Sequence, residues 1–573
     1  MTPSFLVIPG SAPQAVGTLA GYPNPARLLT VELLLRRPAA TPELTARLAA
    51  LLSAPPHLRT YPSHDELTQL LGTTPADLAT VADYYQGRQL QVQRSCLLTG
   101  SLTLTGTVQA VEQAFHTRVA VLQSAGQPPF LAGLTPLLMP PALAGLVRQA
   151  QPLERPVRRE SRRPARLRRP LPAGEGSPPP ADDHATTMPP GYTPQELARA
   201  YAFPAGLAGE GQTIGFVELG GKLNQGDLKE FFAEAGLKKP KIVEVGTPPP
   251  TGPAATSLLD NAEVALDLEV AGALAPQARL VVYYGSTLLE ALRAVVGDAA
   301  NHPAVVSVSW AGSEYYYPAA DVQEMNELLY LAAMLGITVL AASADHGAYN
   351  QLGVPNVSLP ASSPLVLGCG GTVPTITDAQ LLAEVVWNEL GGQWATGGGY
   401  STLYAQPAYQ QAAASHYPYQ HSPWRGVPDL AADASLLQGY RTVFGGQPVV
   451  AGGTSAATPF LATLVLLLGQ RLGYRLGFLN AVLYGLAGSV VFRPITQGNN
   501  QLYWAAPVWN PCTGLGSPVG EQLLAALQAL AHPPTPTPDA GATLLAPPAA
   551  EATPPALDEE TPTGPAGEPP ATT

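Results

Sequence analysis

The chain has 573 residues, of which 46% are hydrophobic and 13% charged, and its formal net charge is −12 at pH 7. That length supports two or three domains around at least one large core, and no uninterrupted apolar run nears the ~18 residues of a membrane span. The acidic balance excludes nucleic acid as a general partner, and three cysteines (Cys96, Cys369, Cys512) without ligand spacing exclude a disulfide framework or a cysteine metal site.

In chain order, Met1 to Pro9 has no basic start and too short an apolar stretch for an ordinary signal peptide. Residues 1–153 mix short strands and helices and read as a small α+β domain. Within it, the run from Leu102 to Phe115 predicts an alternating strand, a turn at Gly106 and an amphipathic helix. Residues 154–190 form an Arg/Pro-rich linker. Eight arginines and one acid between Arg155 and Arg169 give that stretch +7, so the rest of the chain carries −19. Proline and charge repulsion extend such a segment and leave it open to proteases. An inert spacer, or a basic patch for anionic surfaces, is the competing reading. An acidic body with few lysines suits work at low pH.

Residues 191–532 alternate strand and helix patterns. Thr213–Leu219, Ala278–Tyr283, Ala304–Trp310 and Thr338–Ser343 are near-continuous apolar runs, as in a parallel sheet covered on both faces. The fold class is therefore α/β. Residues 533–573, rich in Pro, Thr, Ala and Glu, predict a disordered tail.

Chemistry concentrates between Glu218 and Ser455. Gly452-Gly453-Thr454-Ser455 opens an apolar run that predicts a buried helix, with Pro459 in its first turn. Free N–H groups at a helix start favour a developing negative charge, which suits Ser455 as a nucleophile. Glu218, Trp310 and Asp345 lie at or near carboxyl ends of the strands, where open parallel sheets bind ligands. Glu263 and Asp267 stand four apart on a helix predicted to end at Gly272. On an exposed helix their repulsion costs roughly 0.2–0.5 kcal/mol. Out of water the repulsion grows, one carboxyl keeps a proton, and the pair can act as general base and then acid. Histidine is the common partner of a serine nucleophile, yet His302, His346, His416, His421 and His532 show no catalytic-histidine pattern. In acid a histidine is already protonated, so Glu263 is the better base.

These motifs resemble the sedolisin family of serine-carboxyl peptidases, in its kumamolisin-like branch. The matches are Gly452 to Ser455, Glu263 and Asp267 followed by Ala271-Gly272-Ala273-Leu274-Ala275-Pro276, and Glu218-Leu219-Gly220-Gly221. Further matches are Ser307-Val308-Ser309-Trp310, Gly397-Gly398-Gly399-Tyr400-Ser401, Arg425-Gly426-Val427-Pro428-Asp429 and the run from Trp509 to Gly516. Asp345 matches the oxyanion aspartate, with Ala344 in place of the family's first glycine. The resemblance implies a subtilisin-like sheet preceded by a ferredoxin-like prodomain that inhibits its own chain until the linker is cut. It also implies a catalytic set of Glu263, Asp267, Asp345 and Ser455, supported by Glu218 and Trp310, acting on polypeptides at acidic pH. A secreted monomer without nucleic-acid or membrane partners follows. Endopeptidase and tripeptidyl-peptidase activity both stay open. The family's calcium site is doubtful, because its two aspartates correspond to Pro494 and Asn510 and two of its carbonyl-supplying glycines to Ala506 and Val508. No other cofactor is expected. The alternatives are a non-catalytic binding protein on this fold, a Ser/His/Asp hydrolase using His346, and an adaptor using the arginine segment.

Overall fold

The computed structural model describes residues 5–12, 17–123, 129–151, 191–249 and 254–532; the linker and the tail lie outside them. The N-terminal part runs β1 (Leu28–Leu35), α1 (Pro42–Ser53), α2 (His64–Leu71), α3 (Pro75–Gln86), β2 (Gln91–Cys96), β3 (Ser101–Thr107), α4 (Val108–Phe115) and β4 (Val147–Ala150). The strands form an antiparallel sheet in the order β2-β3-β1-β4, which is the ferredoxin-like arrangement. Side-chain caps set the helix starts: Thr41 and Thr74 each precede a proline, and Ser63 forms a capping box with Glu66. The expected turn at Gly106 is absent. Gly106 stays within β3, where an added Cβ would lie 2.3 Å from Leu90 Cδ2, and Thr107 caps α4 directly.

The larger part contributes β5 (Thr213–Glu218), β6 (Lys241–Val245), α5 (Ala254–Leu274), β7 (Arg279–Tyr284), α6 (Leu288–Gly297), β8 (Val305–Val308), α7 (Ala319–Met334), β9 (Thr338–Ala342), β10 (Leu367–Thr377), β11 (Gln380–Val386), β12 (Leu430–Asp433) and α8 (Thr454–Leu472). The sheet order is β6-β7-β5-β8-β9-β10-β11, with β12 also paired to β10, and only β10–β11 is antiparallel. The four apolar runs are its β5, β7, β8 and β9. Alternate residues feed opposite faces. Phe216, Val282 and Leu340 pack with α5 and α8, whereas Val217, Val281 and Val339 pack with α6 and α7. Leu48, Leu67, Leu71 and Leu98 of the N-terminal part join that second cluster, so the two parts share a core.

The helix carrying the carboxyl pair does not stop at Gly272. It continues to Leu274, and Gly272 instead admits Phe232, whose Cζ would be 2.5 Å from an added Cβ. Among the described residues one helix, α8, is long and apolar enough to cross a membrane. Its residues 454–468 are buried against the sheet and α5.

Candidate active site

The sheet brings the sequence-derived residues to one edge. Glu218 ends β5, Trp310 follows β8 by two residues and Asp345 follows β9 by three. Trp310 Nε1 donates to Glu218 Oε2 at 2.9 Å, with both side chains buried. Glu263 and Asp267 are buried on α5, which packs along α8 and so faces the helix that opens with Ser455. Burial raises the Asp267 carboxyl well above its ordinary range. The neighbouring Glu263 charge raises it further, and a hydrogen bond from Ser309 opposes both.

Ser309 joins the carboxyl pair to the serine. Its hydroxyl donates to Asp267 Oδ1 at 2.8 Å and lies 3.3 Å from the Ser455 carbonyl oxygen. In return, Ser455 Oγ donates to the Ser309 carbonyl at 3.2 Å. Pro459 explains why the Ser455 carbonyl is open. The expected first-turn proline is in fact the sixth residue of α8, and it lacks the N–H that would close the helical bond to residue 455. Sequence reasoning quotes Ser309 within Ser-x-Ser-Trp but gives it no role; the only signal for one was its place beside Trp310.

Asp345 caps α8 just ahead of Ser455. Its Oδ1 accepts the Thr454 N–H at 2.8 Å and the Thr454 hydroxyl at 2.7 Å. Gly453, at φ 89°, brings the backbone so close that an added Cβ would lie 2.9 Å from Asp345 Oδ2. Burial raises the Asp345 carboxyl although both Thr454 bonds lower it. Ala344, in the place of the family's glycine, is held at φ 87°, a conformation costly for a residue with a side chain. His346 turns elsewhere. Its Nδ1 is 3.2 Å from the Gln393 carbonyl and its ring packs against Trp394. No hydrogen bond among the described residues links it to Ser455.

Comparison with known proteins gives the family. The family model for the pro-kumamolisin activation domain matches residues 17–155. Kumamolisin of Bacillus sp. (strain MN-32) is 36% identical over 550 residues, covering 90% of this chain and 94% of that protein. The chain belongs to the sedolisin family of serine-carboxyl peptidases. Sedolisin of Pseudomonas sp. (strain 101) is 28% identical over 445 residues, 73% of each chain. The structure of Pseudomonas sedolisin, a serine-carboxyl proteinase complexed with two molecules of pseudo-iodotyrostatin, superposes with a TM-score of 0.54. It is 28% identical and covers 59% of this chain and 98% of that one. The chain is thus a serine-type peptidase with a subtilisin-like sheet and an activation domain.

In this chain the activation domain docks on α6 and α7, on one face of the sheet. Arg293 reaches Glu32 through two of its nitrogens and Glu324 through a third, while Arg37 and Arg148 share Glu327. Arg59 donates to the carbonyls of Leu476 at 2.9 Å and Phe478 at 2.6 Å.

Asn510 stands where the resemblance places a calcium ligand. Asn510 turns its amide nitrogen to the Ala506 carbonyl at 2.8 Å and toward Ile495 O at 3.5 Å, so a donor points where a cation would need acceptors. Its Oδ1 accepts from the N–H groups of Cys512 and Thr513, both at 3.0 Å. Calcium wants six to eight oxygens with carboxylates among them.

Proposed function

We propose that this zymogen hydrolyses peptide bonds in acid through an acyl-enzyme on Ser455. Glu263 takes the serine proton as Oγ attacks the peptide carbonyl and delivers it to the leaving amine. Asp267 shares the charge of Glu263, and the Glu218–Trp310 pair supports the carboxyls from behind. Protonated Asp345 donates to the tetrahedral oxyanion, and water then releases the acyl group. The observation that carries this reading is the linked set Asp267–Ser309–Ser455, a buried carboxyl with raised proton affinity one residue removed from the nucleophile. Buried carboxyls that hold protons at Asp267 and Asp345 favour work well below neutrality. The reading through His346 lacks such a connection.

Residues 1–153 act in this reading as the inhibitory prodomain, 154–190 as the cleaved linker and 191–532 as the peptidase. The described chain leaves off at Gln151, whose amide is 3.3 Å from Glu324, and resumes at Gly191 beside Gly439. The mature enzyme is a secreted monomer acting on polypeptides. It works without calcium, the Asn510 amide bonding the carbonyls a cation would otherwise gather; its melting temperature is expected not to change between excess calcium and chelator. Incubating the full chain at pH 3 to 5 and sequencing the new N-terminus tests the function. A cut within 154–190 that is absent in Ser455→Ala supports it, and normal maturation of Ser455→Ala overturns self-processing.

A further inference from the structure

Ser309 is engaged three times within one small volume. Its hydroxyl donates to Asp267, the same hydroxyl sits beside the Ser455 carbonyl that Pro459 leaves open, and its own carbonyl accepts the Ser455 hydroxyl. A serine hydroxyl has one proton and two acceptor lone pairs, so it cannot donate fully to both Asp267 and Ser455 at once. With Asp267 ionised, the shorter contact takes the proton. When Asp267 holds a proton on its other oxygen, Oδ1 is a weaker acceptor, and the carbonyl in the first turn of α8 competes better for the Ser309 hydroxyl.

We infer that Ser309 is a positioning residue of the peptidase centre, fixing the Asp267 carboxyl and coupling its proton to the turn that presents Ser455. This rests on the function proposed above. Tethering Oδ1 orients the carboxyl, so that Oδ2, which is buried and has no hydrogen-bond partner among the described residues, is the oxygen left for the proton shared with Glu263. Ser309 also favours the ionised form of Asp267 against burial and the Glu263 charge. Without its hydroxyl, the doubly ionised carboxyl pair loses support. The pair's upper titration then moves to higher pH, and with it the alkaline limb of activity.

The test is the pH profile of peptide hydrolysis by wild type, Ser309→Ala and Ser309→Thr after self-processing, with the uncut Ser455→Ala beside them. Ser309→Ala is expected to lose about tenfold in kcat, the scale of one hydrogen bond to a charged group. KM should stay within about twofold, and the alkaline limb should move up. Ser309→Thr keeps the hydroxyl and should restore both the limb and most of kcat. A purely structural role would lower the melting temperature and leave the limb in place. Wild-type kcat and profile in Ser309→Ala, with Ser455→Ala inactive, would overturn this inference and leave the nucleophile standing; an active Ser455→Ala would remove both. If Ser309→Ala does not fold, Ser309→Cys, a weak donor, should move the limb the same way, and an unmoved limb there overturns the inference equally.

Discussion

Acid should loosen the activation domain through two imidazoles. His64, at the start of α2, meets His302, just before β8, edge to face with ring centroids 4.8 Å apart. His302 Nε2 is 3.1 Å from the Leu335 carbonyl. Arg475 stands beside both rings, its guanidinium donating to the carbonyls of Pro303 at 2.8 Å and His302 at 2.6 Å. Asp298 and Asp65 are the acids that face the pair. Burial first, and then the Arg475 charge, pushes His302 from 6.5 down to about 4; burial lowers His64 as well. Both rings are therefore held neutral when docked, and each regains proton affinity only to the extent that docking supplied its burial. The docking contribution is complete above pH ~6.5, falls as pH drops toward 4, and falls no further below that.

The drop at His302 corresponds to ~3 kcal/mol. Arg475 and Leu335 stay with the peptidase after separation and water screens a ring that is only partly buried, so about a third, ~1 kcal/mol, belongs to docking. That is about fivefold, with His64 adding in the same direction. The Arg148 and Arg37 pairs hold Glu327 below its ordinary value against the effect of burial, so that latch persists to lower pH than the imidazoles. The perturbation is His64→Asn with His302→Asn, and the assay is the rate of self-processing between pH 7 and 3.5. The double variant should match wild type at pH 7 and fall progressively behind it as the pH drops, to about fivefold slower at pH 3.5. Coincident profiles would refute the reasoning.

Two further outcomes follow from groups near the site. Burial raises Glu269 on α5 well above its ordinary range although it accepts the Val443 N–H at 2.8 Å; the cost to stability therefore appears as pH rises above ~4.5. Glu269→Gln should raise the melting temperature at pH 7 by a few degrees and leave it unchanged at pH 4; equal shifts at both would contradict this. Ala344→Gly removes roughly 1–2 kcal/mol of backbone strain at φ 87° against about 0.5–1 kcal/mol of added unfolded-chain freedom. It should raise the urea midpoint slightly, and a lower midpoint would show that Ala344 is not strained.

What the sequence disclosed, and what it hid, has a physical pattern. The runs at Thr213, Ala278, Ala304 and Thr338 were legible because strands covered on both faces must be apolar throughout. Ser455, Glu218 and Trp310 were legible because their positions relative to strand and helix ends are local facts. Gly272 and Gly106 misled for one reason: each glycine serves a close approach from another segment, Phe232 or Leu90, and a pattern of neighbours cannot separate that use from a chain break. Ser309 stayed hidden because two of its three engagements involve backbone carbonyls, its own and that of Ser455 on another element. The pairing of His64 with His302 needed the docked arrangement of both parts.

The most direct test of the central claim compares peptide hydrolysis at pH 4 by Glu263→Gln and His346→Ala, each beside the wild type. With a carboxyl pair serving Ser455, Glu263→Gln should lose at least ~100-fold in kcat while His346→Ala, whose ring is turned to Gln393 and Trp394, keeps nearly full activity. Near-normal turnover in Glu263→Gln together with an inactive His346→Ala would contradict the account and point to a histidine-based serine hydrolase.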